Sequence, residues 1–274
     1  MWRWPMSIQT RQLLLCLLGV SFLFGSSVNA SLLRDDESYQ PTLATSDFAI
    51  GLMLELNASA GAVLQPVSLA PDVWYGASER LTVGVVHSGL GQTGFFGTTG
   101  NGFCFTGTSN GCTKLYDSFG ISSRYSLYSK SFGRLGAIGL ASEVGLFTRT
   151  LESFNLASKV GFALIWERGR FQLTAAPSVW LGTIQRNATN PDQLFVPASA
   201  HFVVSNRIRA GVQFGYAAEL NYAKQSRFPL SAGIDFGLNE RVQFTFVFSF
   251  PELAGKQSAG TRSRSLTFGT MLAF

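Results

Sequence analysis

Charge is scarce in this chain. Asp, Glu, Lys and Arg make up 14% of its 274 residues, against about 25% in an ordinary soluble domain, so it lacks the side chains with which a water-facing surface is built. Cysteine is scarce too: three residues cannot make a disulfide scaffold. The two histidines, His87 and His201, leave most metal and acid–base chemistry short of ligands. A helical membrane protein needs several apolar runs of about 20 residues, and only Leu13 to Gly25 comes near that. The chain carries no phosphate loop, zinc spacing, Gly-x-Ser-x-Gly elbow or basic-aromatic stripe. No cofactor, metal or nucleic-acid partner is therefore expected. What the chain has in quantity is glycine (29), phenylalanine (24) and 46% hydrophobic residues, which excludes disorder and coiled coil and leaves a β protein.

The apolar run lies at the start, after Arg3 and Arg11 and before the small-residue ending Val28-Asn29-Ala30. That order is a secretory signal peptide, expected to occupy residues 1–30 and to be cut between Ala30 and Ser31. A lipoprotein anchored through Cys16 is the rival reading, but Leu15 stands where such signals carry a small residue. Cleavage removes two arginines, lowers the formal charge from +5 to +3 and leaves Cys104 and Cys112 as an even pair in an oxidising compartment. A disulfide between them is expected.

Residues 31–46 are polar and non-periodic, and read as a flexible periplasmic extension. From Asp47 the pattern turns to period two, the mark of a strand with one apolar face. Ile208, Ala210, Val212, Phe214 and Tyr216 oppose Arg209, Gly211, Gln213 and Gly215, and Val242, Phe244, Phe246, Phe248 and Phe250 share one face. About twelve strands follow, at 47–57, 68–76, 81–89, 118–128, 136–147, 154–166, 170–183, 195–204, 207–222, 229–238, 241–250 and 264–274. Their connections alternate between longer and shorter. A soluble sandwich has no reason to sort its loops by parity, whereas a transmembrane barrel has short periplasmic turns and longer outer loops. Residues 47–274 are therefore expected to form an all-β, transmembrane, antiparallel up-and-down barrel of about twelve strands, in outer-membrane lipid, with both ends on the periplasmic side.

Aromatics gather near the strand ends, Tyr75, Trp166, Phe171 and Phe274 toward the short turns and Phe119, Phe154, Tyr222, Phe228 and Phe250 toward the long loops, as in interfacial girdles. An exported soluble sandwich would also alternate. Pro71, Pro177 and Pro197 fall inside expected strands, where a closed barrel has no edge for them, and mark bulges or misplaced boundaries.

The chain ends Leu266-Thr-Phe-Gly-Thr-Met-Leu-Ala-Phe274, which resembles the C-terminal signal of bacterial outer-membrane barrels through Gly269, Leu272 and Phe274. The resemblance implies recognition by barrel-assembly machinery. Gly76-Ala-Ser-Glu-Arg-Leu81 and Gly237-Leu-Asn-Glu-Arg-Val242 share a turn form, of which Ser205-Asn-Arg-Ile208 is a shortened relative. With its flanking strands this form is similar to the strand-turn-strand of the meta-pathway phenol-degradation transporter family. That implies a channel for small molecules, aromatic or apolar ones included, and transfers no binding residue.

With the faces assigned, Glu55, Asp72, Arg124, Glu143, Lys159, Arg209, Glu219 and Asp235 point into the lumen, where opposed charges tune selectivity for small solutes or pair to fill a narrow barrel. A lateral Glu143–Lys159 pair is expected. The 90–117 loop, with Phe95, Phe96, Phe103 and Phe105, folds into the mouth or stands out as a recognition element. Ser199 and His201 have the spacing of a nucleophile and its base but share the lumen register, and His87-Ser88 are adjacent, so no enzyme is expected. The expectation is a passive small-molecule channel. Its alternatives are a closed-lumen barrel that works through the 90–117 loop and, third, an outer-membrane lipid hydrolase.

Overall fold

The computed structural model describes residues 42–87, 102–107, 109, 112, 116–117, 119–150, 155–186, 190–221, 225–239, 241–256 and 260–274. The expected signal peptide, its cleavage site at Ala30 and Ser31, and loop residues Phe95 and Phe96 lie outside them. The strands are β1 (Phe48–Asn57), β2 (Val67–Ser78), β3 (Leu81–Val86), β4 (Gly102–Cys104), β5 (Tyr116–Asp117), β6 (Phe119–Ser131), β7 (Ala137–Thr150) and β8 (Asn155–Arg168). They continue as β9 (Phe171–Ala175), β10 (Ser178–Ile184), β11 (Gln193–Ser205), β12 (Ile208–Glu219), β13 (Ser226–Asn239), β14 (Val242–Ala254) and β15 (Ser265–Ala273). All belong to one antiparallel sheet, in which β1 pairs with both β2 and β15. Because β9 and β10 are halves of one strand between β8 and β11, and β4–β5 is a short hairpin of the long loop, the sheet is a closed twelve-stranded barrel.

Alternation decides which way each side chain points. On β12, Val212 and Phe214 are exposed while Gln213 between them is buried. On β8, Val160, Phe162 and Leu164 are exposed while Asn155, Lys159 and Ala163 are buried. A water-soluble protein distributes its residues the other way round. Here the outer face is apolar and the interior polar, the arrangement of a transmembrane barrel.

The strand ends that flank 79–80, 132–136, 169–170, 206–207 and 240–241 lie at one end of the barrel, and those that flank 58–66, 87–118, 151–154, 185–192, 220–225 and 255–264 at the other. The parity read from the sequence holds with one blemish, since 132–136 takes a 3-10 turn, Gly133–Leu135, and is longer than 151–154.

Two expected strands are corrected, and proline is the reason in both. The third was expected to reach residue 89 but ends at Val86. Its next partner on β2 would be Pro71, which has no N–H to give to the ladder. His87 leaves the ladder instead, bonding through its ring Nδ1 to the Pro71 carbonyl and through its backbone N–H to Asp72 Oδ1 at 2.6 Å. The 170–183 strand is broken at Ala176 and Pro177. The Pro197 carbonyl faces the break and accepts from Ala176 N–H at 3.0 Å, so the missing donors of Pro177 and Pro197 fall where the ladder is already interrupted.

The long loop also differs from expectation, because part of it enters the wall. Where β3 has ended, β4 takes its place beside β2, with Ser68 opposite Cys104 and Leu69 opposite Phe103, and β5 pairs with β4. Residues 42–46, expected to belong to a flexible extension, are instead fixed to the wall. Thr42 Oγ1 donates to the Glu79 carbonyl at 3.0 Å, Leu43 N–H to Thr82 Oγ1 at 2.8 Å and Ser46 N–H to the Gly76 carbonyl at 2.8 Å. Leu43 packs on an interior apolar cluster of Ala49, Trp74, Val86, Phe147 and Ala273. Gly76 is required there, since a Cβ on it would stand 1.9 Å from the Ala44 carbonyl oxygen.

The seam closes the ring. Phe48 N–H donates to the Phe274 carbonyl at 2.9 Å and Phe274 N–H returns to the Phe48 carbonyl at 2.6 Å. From there the ladder runs from Ala49 opposite Ala273 to Asn57 opposite Ser265.

Candidate functional site: the barrel interior

The interior is assembled from the inward register of every strand, so its chemistry follows from which inward residues the ladders bring side by side. On β6, β7 and β8 they collect three charges. Lys159 Nζ lies 2.8 Å from Glu143 Oε1, with both side chains buried. Arg124 is the residue directly opposite Glu143 on the other flank, and the Ser122 hydroxyl donates to the same oxygen at 3.5 Å. The lateral pair expected from the sequence is present, with a second cation beside it. Lys159 Nζ also stands 5.6 Å from the centre of the Trp180 ring, which stacks at 4.5 Å on Phe147.

A second charged group forms across β12, β13 and β14. Arg209 Nε donates to Asp235 Oδ2 at 2.8 Å, and Arg209 Nη1 to Gln172 Oε1 at 3.2 Å. The other carboxylate oxygen of Asp235 accepts from Thr245 Oγ1 at 2.7 Å. Arg209 faces Asp235 and Asp235 faces Thr245 in the ladder, whereas Lys159 stands opposite Gly145 and reaches Glu143 on the diagonal.

The remaining three expected lumen residues stand apart from these two groups. Asp72 is buried and accepts the His87 backbone N–H at 2.6 Å. Glu55 is buried between Thr267 and Ser68 on the flanking strands. Glu219 is partly buried and faces Gln193 at the long-loop end. Sequence reading missed Gln172, Thr245, Ser122 and Trp180 as partners. Inward register would have placed each in the interior, but which charge it meets depends on strand stagger.

Cys104 and Cys112 form a disulfide. Next to it the long loop builds a small aromatic cluster: Phe103 and Tyr116 rings 4.7 Å apart, and Tyr116 and His87 rings 5.8 Å apart. With Nδ1 of His87 donating to Pro71, its Nε2 accepts from the Tyr116 hydroxyl at 2.8 Å. Burial pushes the Tyr116 hydroxyl above its ordinary pKa, which keeps it protonated as that donor.

Ser199 and His201 both point inward and are buried. The Ser199 hydroxyl has no hydrogen-bond partner, so it is not bonded to His201. At the long-loop end a cavity is lined by Asn57, Ser59, Ser68, Ser263, Ser265 and Glu55, with Arg264 at its side. Large interior rings lie flat on glycines: a Cβ at Gly120 would stand 2.3 Å from the Phe147 ring, and one at Gly84 2.4 Å from the Trp74 ring.

Several solved outer-membrane barrels share this shape. The NanC porin superposes with a TM-score of 0.55 at 6% identity over 82% of this chain and 98% of that one. An outer-membrane channel from Pseudomonas putida F1 gives 0.54 at 8% identity over 88% and 100%. The KdgM porin, solved with disordered oligogalacturonate, gives 0.51 at 7% identity over 82% and 99%. At such identities the likeness is one of fold. No protein-family model matches the chain, and comparison with curated proteins finds no match.

Proposed function

We propose that this barrel is a bacterial outer-membrane channel for the passive passage of small solutes through a narrow, polar interior. The observation that carries the reading is the inversion of the fold: paired charges and hydroxyls inside, apolar side chains outside. The porin-like shape of its structural neighbours supports it. Lipid meets the outer face, and the short turns and the N- and C-termini of the barrel face the periplasm. Residues 1–30 are removed between Ala30 and Ser31, and the assembly machinery reads Gly269, Leu272 and Phe274. Glu143, Lys159, Arg124, Arg209 and Asp235 set the field across the lumen, with Glu55, Asp72 and Glu219 nearer the long-loop side. The turn form shared with the meta-pathway transporter family places aromatic or apolar compounds among the solutes to try.

One observation favours a second reading. Interior side chains such as Gln213, Ser231 and Val247 are about 1% exposed, which fits a barrel that is closed at rest and works through the 90–117 loop. Single-channel recording and liposome swelling with the refolded protein separate the two. Conductance and permeation are expected, and the lack of both would overturn the channel. The Ser199 hydroxyl, unbonded to His201, speaks against a lipid hydrolase. Phospholipid hydrolysis abolished by Ser199→Ala would reinstate it.

A further inference from the structure

Ladder register brings a run of uncharged hydrogen-bonding side chains together across six neighbouring strands. Ser199 on β11 faces Gln213 on β12, Gln213 faces Ser231 on β13, and Ser231 faces Ser249 on β14. Ser249 in turn faces Ser265 on β15, and Ser265 faces Asn57 on β1. All have the inward register. No charge interrupts the row, and the two charged groups of the interior lie outside it.

Barrel strands tilt by about 35–45°, so a row that crosses them at right angles climbs the wall. It starts midway along β11 and ends at the rim, where Asn57 closes β1 and Ser265 opens β15. Those two residues also line the cavity at the long-loop end. The cavity therefore meets the row at its rim end, and the rest of the row runs on into the buried interior.

The second observation is chemical. Ser199, Gln213, Ser231 and Ser265 are 4%, 1%, 1% and 2% exposed, yet Ser199 Oγ, Gln213 Oε1, Ser231 Oγ and Ser265 Oγ have no hydrogen-bond partner. A buried polar atom left unpaired forfeits its hydration without return, and native interiors rarely tolerate several in a line. Such a row calls for an occupant that donates and accepts at successive points and carries no charge. Strand spacing of about 4.8 Å sets successive groups roughly one sugar ring apart.

We infer that the row from Asn57 to Ser199 is a binding track for neutral polyhydroxylated solutes of the saccharide class, received in the cavity at the rim. Each solute hydroxyl donates to Gln213 Oε1 or exchanges hydrogen bonds with a serine hydroxyl. A carboxylated sugar would meet Arg264 only beside the Glu55 carboxylate in the cavity and no cation in the row, and an aromatic acid has too few hydroxyls to satisfy it. This inference rests on the channel reading for its use, but binding and passage are measured separately.

The test uses the refolded full barrel, with calorimetric titration of maltotriose, trigalacturonate and benzoate in detergent. Maltotriose is expected to bind, the other two at least tenfold more weakly, and Gln213→Leu to weaken maltotriose about tenfold, the loss of roughly one buried hydrogen bond. Ser231→Ala is measured beside it in case the leucine variant fails to give heat-modifiable, folded protein, and is expected to weaken maltotriose severalfold. No maltotriose binding would overturn the track, its groups then being satisfied by water alone. So would equal binding of trigalacturonate, or maltotriose binding that both folded variants leave unchanged. Liposome swelling then tests the channel by itself. Maltotriose bound but nothing passed keeps the track and sinks the channel, whereas solutes passed in order of size with no maltotriose bound keeps the channel and sinks the track.

Discussion

Lys159 Nζ and Glu143 Oε1 meet at 2.8 Å across the β7–β8 ladder, with side chains 7% and 5% exposed. Removing one partner of such a pair leaves a buried charge without its counter-ion, at a cost of about 3–5 kcal/mol. Glu143→Ala strands Lys159 beside Arg124, so its unfolding free energy from urea titration in vesicles is expected to fall by that much, seen as a lower midpoint. Glu143→Leu combined with Lys159→Met should recover most of the loss. An unchanged midpoint in Glu143→Ala would show that the pair stabilises nothing.

The outer face predicts a sharper asymmetry. Val212 and Ile234 are each 50% exposed, a degree at which a soluble protein takes arginine with little effect. In a bilayer, arginine near the midplane costs about 2–4 kcal/mol. Val212→Arg and Ile234→Arg are each expected to destabilise the folded barrel in lipid vesicles by that amount and so to lower its folded yield. Wild-type yield from both would count against these strands facing lipid.

At the short-turn end the test residue is Gly76, against which Ala44 is laid. Gly76→Val puts a side chain where the Ala44 carbonyl sits and expels residues 42–46 from the inner wall. Proteolysis within 42–46 and single-channel conductance are both expected to rise. Protection and conductance equal to wild type would mean that the segment does not restrict the mouth.

The Cys104–Cys112 bridge closes a short ring, worth about 2–3 kcal/mol of restraint on the loop by chain-entropy reasoning. It ties the loop at Cys112 to β4, which is itself held to the wall by its pairing with β2, and touches none of the long ladders. Reduction is expected to make the 102–117 segment sensitive to protease while heat-modifiable migration of the barrel persists. Loss of that migration on reduction would contradict this division.

Much of the fold was legible because period two is a local property. The outward set on β14, with Phe244, Phe246 and Phe248, needs only its own sequence, and the same parity assigned eight charges to the interior, of which Glu55, Asp72, Arg124, Glu143, Lys159 and Asp235 are buried. Glu143–Lys159 was readable because 151–154 is short enough to limit the stagger between β7 and β8. Arg209–Asp235 was not, because the stagger of β12 against β13 is set by packing around the ring. The end of β3 depended on Pro71, a residue ten positions before Leu81 in sequence. Three residues, Gly102–Cys104, are too few to show any period, so the rung they add to the wall left no trace in the pattern.

The bonds between Phe48 and Phe274 also order events in time. Nearly every other ladder joins strands adjacent along the chain, which can zip as each hairpin forms. The β1–β15 ladder joins the two extremes of the barrel, and no local step prepares it. Until it forms, the sheet has two open edges, each able to pair with a stranger. Closure is thus a single late event, and the time spent before it is when this chain is most exposed to mispairing with another copy of itself.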